Sequence, residues 1–293
     1  MGFHSLEEIV NLCIDNGKEF YEIILEDDMH ERKATKADSL SKMAGMWDAM
    51  LLASSSYDKK LKSNSGLVGG SGGQMEEYAK TGNNLTGEFV GAVIAQALQM
   101  GESNACMKRI VAAPTAGACG VLPAVLIPYY RKFKPEHETI VKGLYVAAGI
   151  GQVIATRAFI AGAAGGCQAE IGSASAMAAG TLTALRGGNA QQISDAAAMA
   201  LKNLLGLVCD PIAGLVEVPC VKRNVIGAVN ALSSADMALA GIRSAVPADQ
   251  VIDAMREVGE KMDVSLRETG EGGLAATPSG VEVSKKIKSN KFQ

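Results

Sequence analysis

The sequence is poor in aromatic residues, which make up 4% of its 293 residues, whereas hydrophobic residues as a whole make up 48%. A core built from this chain must rely on Ala, Val, Leu, Ile, Met and Gly, and such small side chains let helices approach closely. An excess of positive charge is also missing, since the formal net charge is -3. No cluster of Lys and Arg lies beside an apolar helix, which argues against nucleic-acid binding.

Targeting signals are missing as well. The start, MGFHSLEEIV, has no charged region followed by an apolar stretch, so we expect a cytoplasmic protein whose six cysteines stay reduced. The most membrane-like stretch, residues 146–167, includes Gln152 and Arg157, which predicts a buried helix and no membrane association. The three histidines are all predicted to lie on the solvated surface, which leaves no histidine general base; they are His4, His30 and His137.

Apolar residues recur at helical spacing through most of the chain. Ser5 and Glu8 have the form of a capping box, and the helix behind them is expected to end at Gly17. No alternating β-branched runs with hairpin turns are present, so the sequence predicts an all-α fold. Further helices are expected over residues 18–31, 36–62, 88–100, 121–133, 136–159, 174–185, 193–205, 221–240 and 247–263.

These segments are expected to form a single helical domain over residues 1–280. Its parts are an N-terminal helical layer (1–64) and a core (65–280), followed by a frayed tail over 281–293. A glycine-rich loop, SGLVGGSGG, opens the core just before a polar helix start. It lacks the P-loop ending and the GxGxxG frame, so as a phosphate cradle it is a weak signal. A pyridoxal-phosphate enzyme, with its Schiff base on Lys62 or Lys80, is therefore an alternative interpretation.

Three of the cysteines stand in turns bordered by Gly or Pro, within GGCQAEIG, GLVCDPIAG and VEVPCVKRN; they are Cys167, Cys209 and Cys220. Such turns leave backbone N–H groups free, and hydrogen bonds to sulfur stabilise thiolates around an iron–sulfur cluster. Three protein thiolates leave one iron open, and an open iron is a Lewis acid. The spacing, C-x41-C-x10-C, is not a compact ferredoxin pattern, so structural thiols remain the alternative.

Four segments carry a further resemblance: SNACMKRIVAAPTAGACGVLPAVL, GAAGGCQAEIGSASAMAAG, GLVCDPIAGLVEVPCVKRNVIGA and LRETGEGGLAATPSG. Together they resemble the catalytic α chain of the iron–sulfur-dependent L-serine dehydratases, and the resemblance extends to about Gly280. It implies an all-helical fold and a 4Fe-4S cluster on Cys167, Cys209 and Cys220, with one iron not bound by cysteine. The implied activity is deamination of L-serine to pyruvate and ammonia, within amino-acid catabolism and gluconeogenesis.

The same resemblance implies a partner. Single-chain members of the family carry a second domain on the N-terminal side of the catalytic one, whereas this chain begins with helices of the catalytic type. We therefore expect a separate β chain, a hetero-oligomer, and a contribution of the β chain to the site. Some single-chain relatives end in a cysteine that blocks the open iron; this chain ends in SNKFQ, so that blocking is not expected here.

The resemblance also implies substrate binding by the loop whose sequence includes the motifs NA and APT. Asn104, Arg109 and Thr115 lie in this loop, and an arginine fork suits a substrate carboxylate. The alternative is that Arg109 and Thr115 cap helix ends. Asn224 is assigned to the same substrate pocket.

Glu170, three residues after Cys167, is the predicted catalytic residue. It would orient the substrate ammonium group or transfer a proton, or alternatively support the cluster loop. Glu217 and Lys222, on either side of Cys220, are interpreted as ion-pair partners.

The other cysteines receive no ligand role. Cys13 lies on the apolar face of the first helix and is predicted to be a core residue. Cys106 and Cys119 lie in the substrate loop, but a permanent fourth thiolate would close the open iron. Two further alternatives for the whole chain are a related desulfidase acting on L-cysteine and a cluster-bearing sensor or scaffold without catalytic activity.

Overall fold

Helices dominate residues 2–290, the part of the chain that the computed structural model describes. Within this part there is no β-sheet, and one isolated parallel bridge joins Cys209 to Arg267. The prediction of an all-α fold in a single domain is confirmed. The described α-helices are α1 (Leu6–Asn16), α2 (Phe20–Arg32), α3 (Lys36–Ser55), α4 (Ser71–Lys80), α5 (Gly87–Ala105), α6 (Val121–Phe133), α7 (His137–Arg157), α8 (Gly162–Gly165), α9 (Ser173–Leu185), α10 (Ala190–Lys202), α11 (Cys220–Leu239), α12 (Ala248–Lys261) and α13 (Pro278–Asn290).

Local signals set several helix ends. The Ser5 side chain accepts a hydrogen bond from the Glu8 N–H at 2.9 Å, and α1 ends at Gly17, whose φ of 62° is left-handed. Complete capping boxes, in which the third helical residue also bonds back to the N-cap backbone, begin α3 and α10. These ends follow from residues within one turn of each other, and for this reason the sequence predicts them well.

Helix α3 is shorter than predicted. The predicted end at Lys62 is wrong, because α3 ends at Ser55. The hydroxyls of Ser55 and Ser56 donate to the carbonyls of Leu52 and Ala53 at 3.0 Å, and such local bonds compete with a continuing helix. The residues that follow form turns leading into the glycine-rich loop.

Helix α9 is the centre of the core and contacts α6, α7, α10 and α11. Its residues from Ser173 to Thr183 are all buried, and most are Ala, Gly or Ser. These small side chains let the neighbouring helix axes come close. The buried hydroxyl of Ser175 donates to the Gly227 carbonyl at 2.7 Å, so a polar atom of the core is satisfied across α9 and α11.

The N-terminal helices belong to the same core. Trp47 of α3 is fully buried and meets Tyr130 edge-to-face, with ring centroids 5.6 Å apart. At the start of α1, the N–H groups of Leu6 and Glu7 donate to the carboxylate of Asp249 on α12, at 2.8 and 3.1 Å.

Helix α7 is one described helix whose length and composition would allow it to cross a membrane. Its most apolar window is 61% buried inside the molecule, where α7 contacts α2, α3 and α9. A core helix passes the same test of length and composition.

The expectation of a frayed tail over 281–293 needs correction. Residues 281–290 belong to α13, which packs on short 3-10 turns at Ile212–Gly214 and Gly273–Ala276. The hydroxyl of Thr277 accepts a hydrogen bond from Gly280 at 3.1 Å, and Pro278 occupies the first helical position. Thr277 and Pro278 together form a helix-start signal for α13. Residues 291–293 lie outside the described part of the chain.

Two glycines test how closely the helices pack. A Cβ at Gly180 of α9 would collide with the Ile150 side chain of α7, whereas a Cβ at Gly45 of α3 would meet nothing within 4 Å. We expect Gly180→Ala to lower the free energy of unfolding by about 1–3 kcal/mol through overpacking. Gly45→Ala is the matched control and should raise it by about 0.5–1 kcal/mol. Urea denaturation followed by circular dichroism measures both, and a stabilising Gly180→Ala would contradict the close packing.

Candidate functional site

Two cysteines and one glutamate that are up to 42 residues apart in sequence converge at one place in the fold. A sulfur from each of Cys167 and Cys209 and a carboxylate oxygen of Glu170 all lie within 4.8 Å of one another. Both cysteines are 2% exposed. Glu170 lies in a π-helical turn, Gln168–Gly172, which directly follows Cys167. Turns of this kind occur often at functional sites.

The Cys167 segment is tied to the loop that follows α10. Gln168 donates its backbone N–H to the Leu207 carbonyl and accepts from the Gly206 N–H with its side chain, both at 2.9 Å. Gly166 has a left-handed φ of 77°, and a Cβ there would lie 2.9 Å from the Leu207 carbonyl oxygen. Only glycine allows this close approach, which explains the GGCQ motif.

The Cys209 segment is held by the fourth motif, LRETGEGG. The Cys209 N–H donates to the Leu266 carbonyl at 2.8 Å, and the Glu268 N–H donates to the Cys209 carbonyl at 2.7 Å. Glu268 has a left-handed φ of 65°, a strained conformation for a residue other than glycine. The fourth motif therefore forms one wall of the site.

The carboxylate of Glu170 sits between two glycines. A Cβ at Gly117 would lie 3.0 Å from its Oε1, and one at Gly162 would lie 2.9 Å from its Oε2. Thr115 donates its hydroxyl to Oε1 at 2.6 Å. Burial raises the pKa of Glu170 and the charge of Glu268 adds to this, whereas the hydrogen bond from Thr115 opposes it.

The two neighbouring thiols ionise unequally. A hydrogen bond from the Cys209 thiol to the Cys167 sulfur lowers the pKa of Cys167, and the charge of Arg223 lowers it further. The same interaction strongly raises the pKa of Cys209. The shared proton is therefore held on Cys209, and Cys167 has more thiolate character.

Cys220 begins α11 and is also buried, but it is not a member of the group that lies within 4.8 Å. Burial raises its pKa to about 12, and the charges of Cys167 and Glu170 contribute to this shift. The three predicted ligands thus share one electrostatic environment, with Cys220 further out than the other two. Their role as metal ligands stays a prediction.

The predicted substrate residues fall at different places. Thr115 contacts Glu170 and caps no described helix, since α6 begins later, at Val121. Asn104 donates to the Ala116 carbonyl at 3.2 Å, whereas Arg109 is exposed beyond the end of α5.

Asn224 is 1% exposed and bonds only to backbone groups of the described chain. Its Oδ1 accepts from the Gly120 N–H at 2.8 Å, and its Nδ2 donates to the carbonyls of Gly117 and Cys220 at 2.9 Å. It therefore joins the substrate loop to the start of α11. Substrate binding by Asn104, Arg109, Thr115 and Asn224 stays a prediction.

The glycine-rich loop does not cradle a phosphate here. The N–H groups of Ser71 and Gly72, at the start of α4, donate to the buried carboxylate of Glu102 at 2.7 and 3.1 Å. The lysines proposed for a Schiff base also have partners: Lys62 donates to the Gly69 carbonyl and Lys80 pairs with Glu76. These contacts argue against the pyridoxal-phosphate interpretation.

The predicted ion pair of Glu217 with Lys222 is wrong. Glu217 is buried and accepts hydrogen bonds from Ser63 and Ser65, at 2.7 and 2.5 Å. It thereby anchors the glycine-rich loop to the segment that leads into Cys220. Sequence proximity suggested a partner on the neighbouring turn, but the partners lie more than 150 residues away.

The remaining three cysteines are Cys13, Cys106 and Cys119. Cys13 is buried on α1 among core residues, as predicted. Cys119 is fully buried, and its thiol lies 3.8 Å from the Met100 carbonyl oxygen. Neither Cys119 nor Cys106 belongs to the described cysteine–glutamate group.

Three residues of the site were not predicted as part of it: Asp210, Arg223 and Glu268. Arg223 contacts the sulfur of Cys167 at 3.5 Å and pairs with Asp210. Its position three residues after Cys220 on a helix was an available signal, because such residues share a helix face. Glu268 had no such signal, since its place beside Cys209 depends on long-range pairing of two loops.

Fold and site together define the class: an all-α protein with a buried thiol–carboxylate centre built from loops at one end of its helices. Comparison with known proteins makes the assignment more specific. The chain belongs to the family described as the serine dehydratase alpha chain, which it matches over residues 15–275.

Individual relatives cover almost the whole chain. The "Probable L-serine dehydratase, alpha chain" of Bacillus subtilis (strain 168) is 44% identical over 285 residues, which are 97% of this chain and 95% of that one. The L-serine dehydratase alpha chain of Peptoniphilus asaccharolyticus is 42% identical, over 96% of each chain. An L-serine dehydratase of Escherichia coli (strain K12) is 37% identical over 93% of this chain, but these residues are 61% of its own length.

Asn224→Ala tests whether this side chain holds the loop in place. Its removal leaves the buried Gly120 N–H without its acceptor and takes a donor from the Gly117 carbonyl, so we expect the free energy of unfolding to fall by about 1–3 kcal/mol. Asn16→Ala is the control, since Asn16 donates one hydrogen bond to Leu12 on an exposed helix face. Urea denaturation measures the free energy of unfolding of both variants. An equal loss in the two would contradict the role of Asn224 in holding the loop.

Glu170→Gln tests the raised pKa of the half-buried carboxyl group in the metal-free chain. A raised folded pKa means that the folded chain keeps its proton after the unfolded chain has lost it, near the ordinary value of 4.5. The free energy of unfolding of wild type should therefore fall relative to that of Glu170→Gln as pH rises above 4.5. The difference between the two should become constant at the pH where Glu170 ionises in the folded chain as well. Glu257, whose pKa is lowered by Lys261, gives a control variant of opposite sign, Glu257→Gln. The measurement is the free energy of unfolding of each protein at a series of pH values. A difference between wild type and Glu170→Gln that does not change with pH would exclude a raised pKa of Glu170.

Proposed function

We propose that this chain catalyses elimination of water from L-serine, yielding pyruvate and ammonia, at an iron–sulfur cluster held by Cys167, Cys209 and Cys220. The observation that carries the proposal is the convergence of Cys167, Cys209 and Glu170 in a buried site. The substrate is taken from the names of the relatives, several of which are L-serine dehydratases.

The donor set suits such a cluster. Soft thiolates at a buried site favour iron–sulfur clusters over hard cations. A 4Fe-4S cluster is wider than a single ion, and each sulfur binds a different iron, so Cys220 can be a ligand although it lies outside the 4.8 Å group. With three cysteine ligands, one iron is not bound by cysteine.

The cluster would supply a Lewis acid that helps hydroxide leave from the β-carbon of serine. The chain's own residues would then handle protons and orientation. Glu170 is suited to proton transfer, because its burial brings its pKa closer to neutral. Thr115 holds Oε1 of Glu170, which leaves Oε2 on the side of Gly162 and Cys209.

Substrate binding would use the loop between α5 and α6. Arg109 is exposed beyond the end of α5, and its guanidinium would bind the serine carboxylate. Asn104 and Asn224 hold this loop against α5 and α11 through backbone carbonyls and would keep Thr115 beside Glu170.

A separate β chain would complete a cytoplasmic hetero-oligomer. Two relatives of nearly the same length are named alpha chains, whereas the relative from Escherichia coli is longer than this chain. This difference in length supports a separate β chain, which would supply the part that the longer relative carries within a single chain.

Replacing each ligand in turn tests the cluster. We expect Cys167→Ser, Cys209→Ser and Cys220→Ser each to abolish iron and sulfide binding after anaerobic reconstitution, because each removes one thiolate from an incompletely ligated cluster. Cys13→Ser is the matched control and should keep full iron and sulfide content, since Cys13 lies in the core of the helical layer. Chemical quantitation of iron and sulfide per chain is the measurement.

Activity is then measured anaerobically on the reconstituted complex with the β chain. Pyruvate released from L-serine supports the proposal, and loss of this activity on exposure to air is expected from the open iron. Full iron content in any of the three ligand variants would remove that ligand from the site. Pyruvate from L-cysteine but not from L-serine would point instead to a desulfidase.

A further inference from the structure

We infer that Arg223 is the positioning residue of the thiolate site: its guanidinium joins the three cysteine-bearing segments and places a positive charge beside the sulfurs. The inference rests on the proposed function, since it concerns residues that would hold the cluster. It assigns a specific task to a side chain that touches no substrate.

The contacts of Arg223 reach each segment. Arg223 lies on α11, one turn after Cys220, and its side chain is 11% exposed. Its Nη1 donates to the Val208 carbonyl at 2.7 Å and to the Cys167 sulfur at 3.5 Å, and its Nη2 lies 2.8 Å from Oδ1 of Asp210. Because residues 208 and 210 flank Cys209, the guanidinium brackets that ligand from both sides.

Asp210 is itself fixed, so the bracket is rigid. Its side chain is 4% exposed, and its Oδ2 accepts a hydrogen bond from the Leu274 N–H at 2.8 Å. Gly273, with a left-handed φ of 58°, lies so close to Asp210 that a Cβ would collide with its carboxylate. The GEGG sequence thus lets a 3-10 turn approach Asp210 and hold the far end of the ion pair.

The charge of the Arg223 guanidinium is balanced by negative groups around it. A buried guanidinium is costly unless negative groups surround it, and Asp210 and Cys167 both lie within its reach. Arg223 is the cation whose charge acts on both Cys167 and Cys220. Loading the site with a cluster would add negative charge beside a guanidinium that is already in place.

Arginine suits this task better than lysine does. Its planar group presents several N–H donors in fixed directions. Here Nη1 donates to a carbonyl and a sulfur, while Nη2 forms an ion pair with a carboxylate. A lysine would keep the charge but present it as a point on a flexible stem. The two functions, bracketing and charge, can therefore be separated by substitution.

The test compares Arg223→Lys and Arg223→Met with wild type, all as full-length chains loaded anaerobically. Arg243→Met is the matched control, because Arg243 also pairs with a buried carboxylate, Asp195, at 2.6 Å. Four quantities are measured: iron and sulfide content, the rate of iron release to a chelator, the reduction potential of the cluster, and the free energy of unfolding.

We expect both Arg223 variants to release iron about 10-fold faster or more, the usual effect of losing a residue that orients metal ligands. Arg223→Met should also have a more negative reduction potential, since a cation beside the cluster is lost. Arg223→Lys should keep a potential near that of wild type, and Arg243→Met should match wild type in both quantities.

Iron release and reduction potential in Arg223→Met equal to those of wild type would overturn the inference. If Arg223→Met does not fold, Arg223→Lys decides, and release at the wild-type rate in that variant overturns it. Failure of the proposed function looks different: wild type itself would then take up no iron. The role of Arg223 alone would be refuted by a combination of three results: wild type takes up the cluster, the cysteine variants do not, and the Arg223 variants behave like wild type.

Discussion

Burial of ionisable groups beside one another is the constraint on which this site depends. Cys167, Glu170 and Cys209 meet within 4.8 Å at a place that largely excludes water, so none can carry charge without help from the protein. Arg223 provides the compensating charge, and the Thr115 hydroxyl provides a hydrogen bond to the carboxylate. The unequal ionisation of the two neighbouring thiols follows from the same crowding.

Close packing of small residues makes that crowding possible. Helix α9, built largely from Ala, Gly and Ser, lets four other helices converge on the core. Small residues also line the site, where Gly117 and Gly162 leave just enough space for the carboxylate of Glu170. A chain with more aromatic residues would need wider spacing between helices and could not bring these loops so near one another.

Loops from distant parts of the chain are joined by a small number of buried polar side chains. Asn224 ties the substrate loop to α11, Glu217 ties the glycine-rich loop to the segment before Cys220, and Asp210 ties the Cys209 loop to the turn before α13. Each of these bonds links a ligand segment to something other than its sequence neighbours. The position of each cysteine-bearing segment therefore depends on residues that are distant in sequence.

Short-range information in the sequence was enough for most of the long helices and for the loops that carry the cysteines, but it missed α13 and the end of α3. Periodicity and caps such as Ser5 act within one or two turns, and Gly or Pro beside Cys167, Cys209 and Cys220 marks a break in regular structure. Only the tertiary structure decided that Arg223 faces Cys167, that Glu102 occupies the start of α4, and that Glu268 lies beside Cys209. These partners are set by how helices pack over long sequence separations, where the identity of a residue does not reveal which distant group will share its burial.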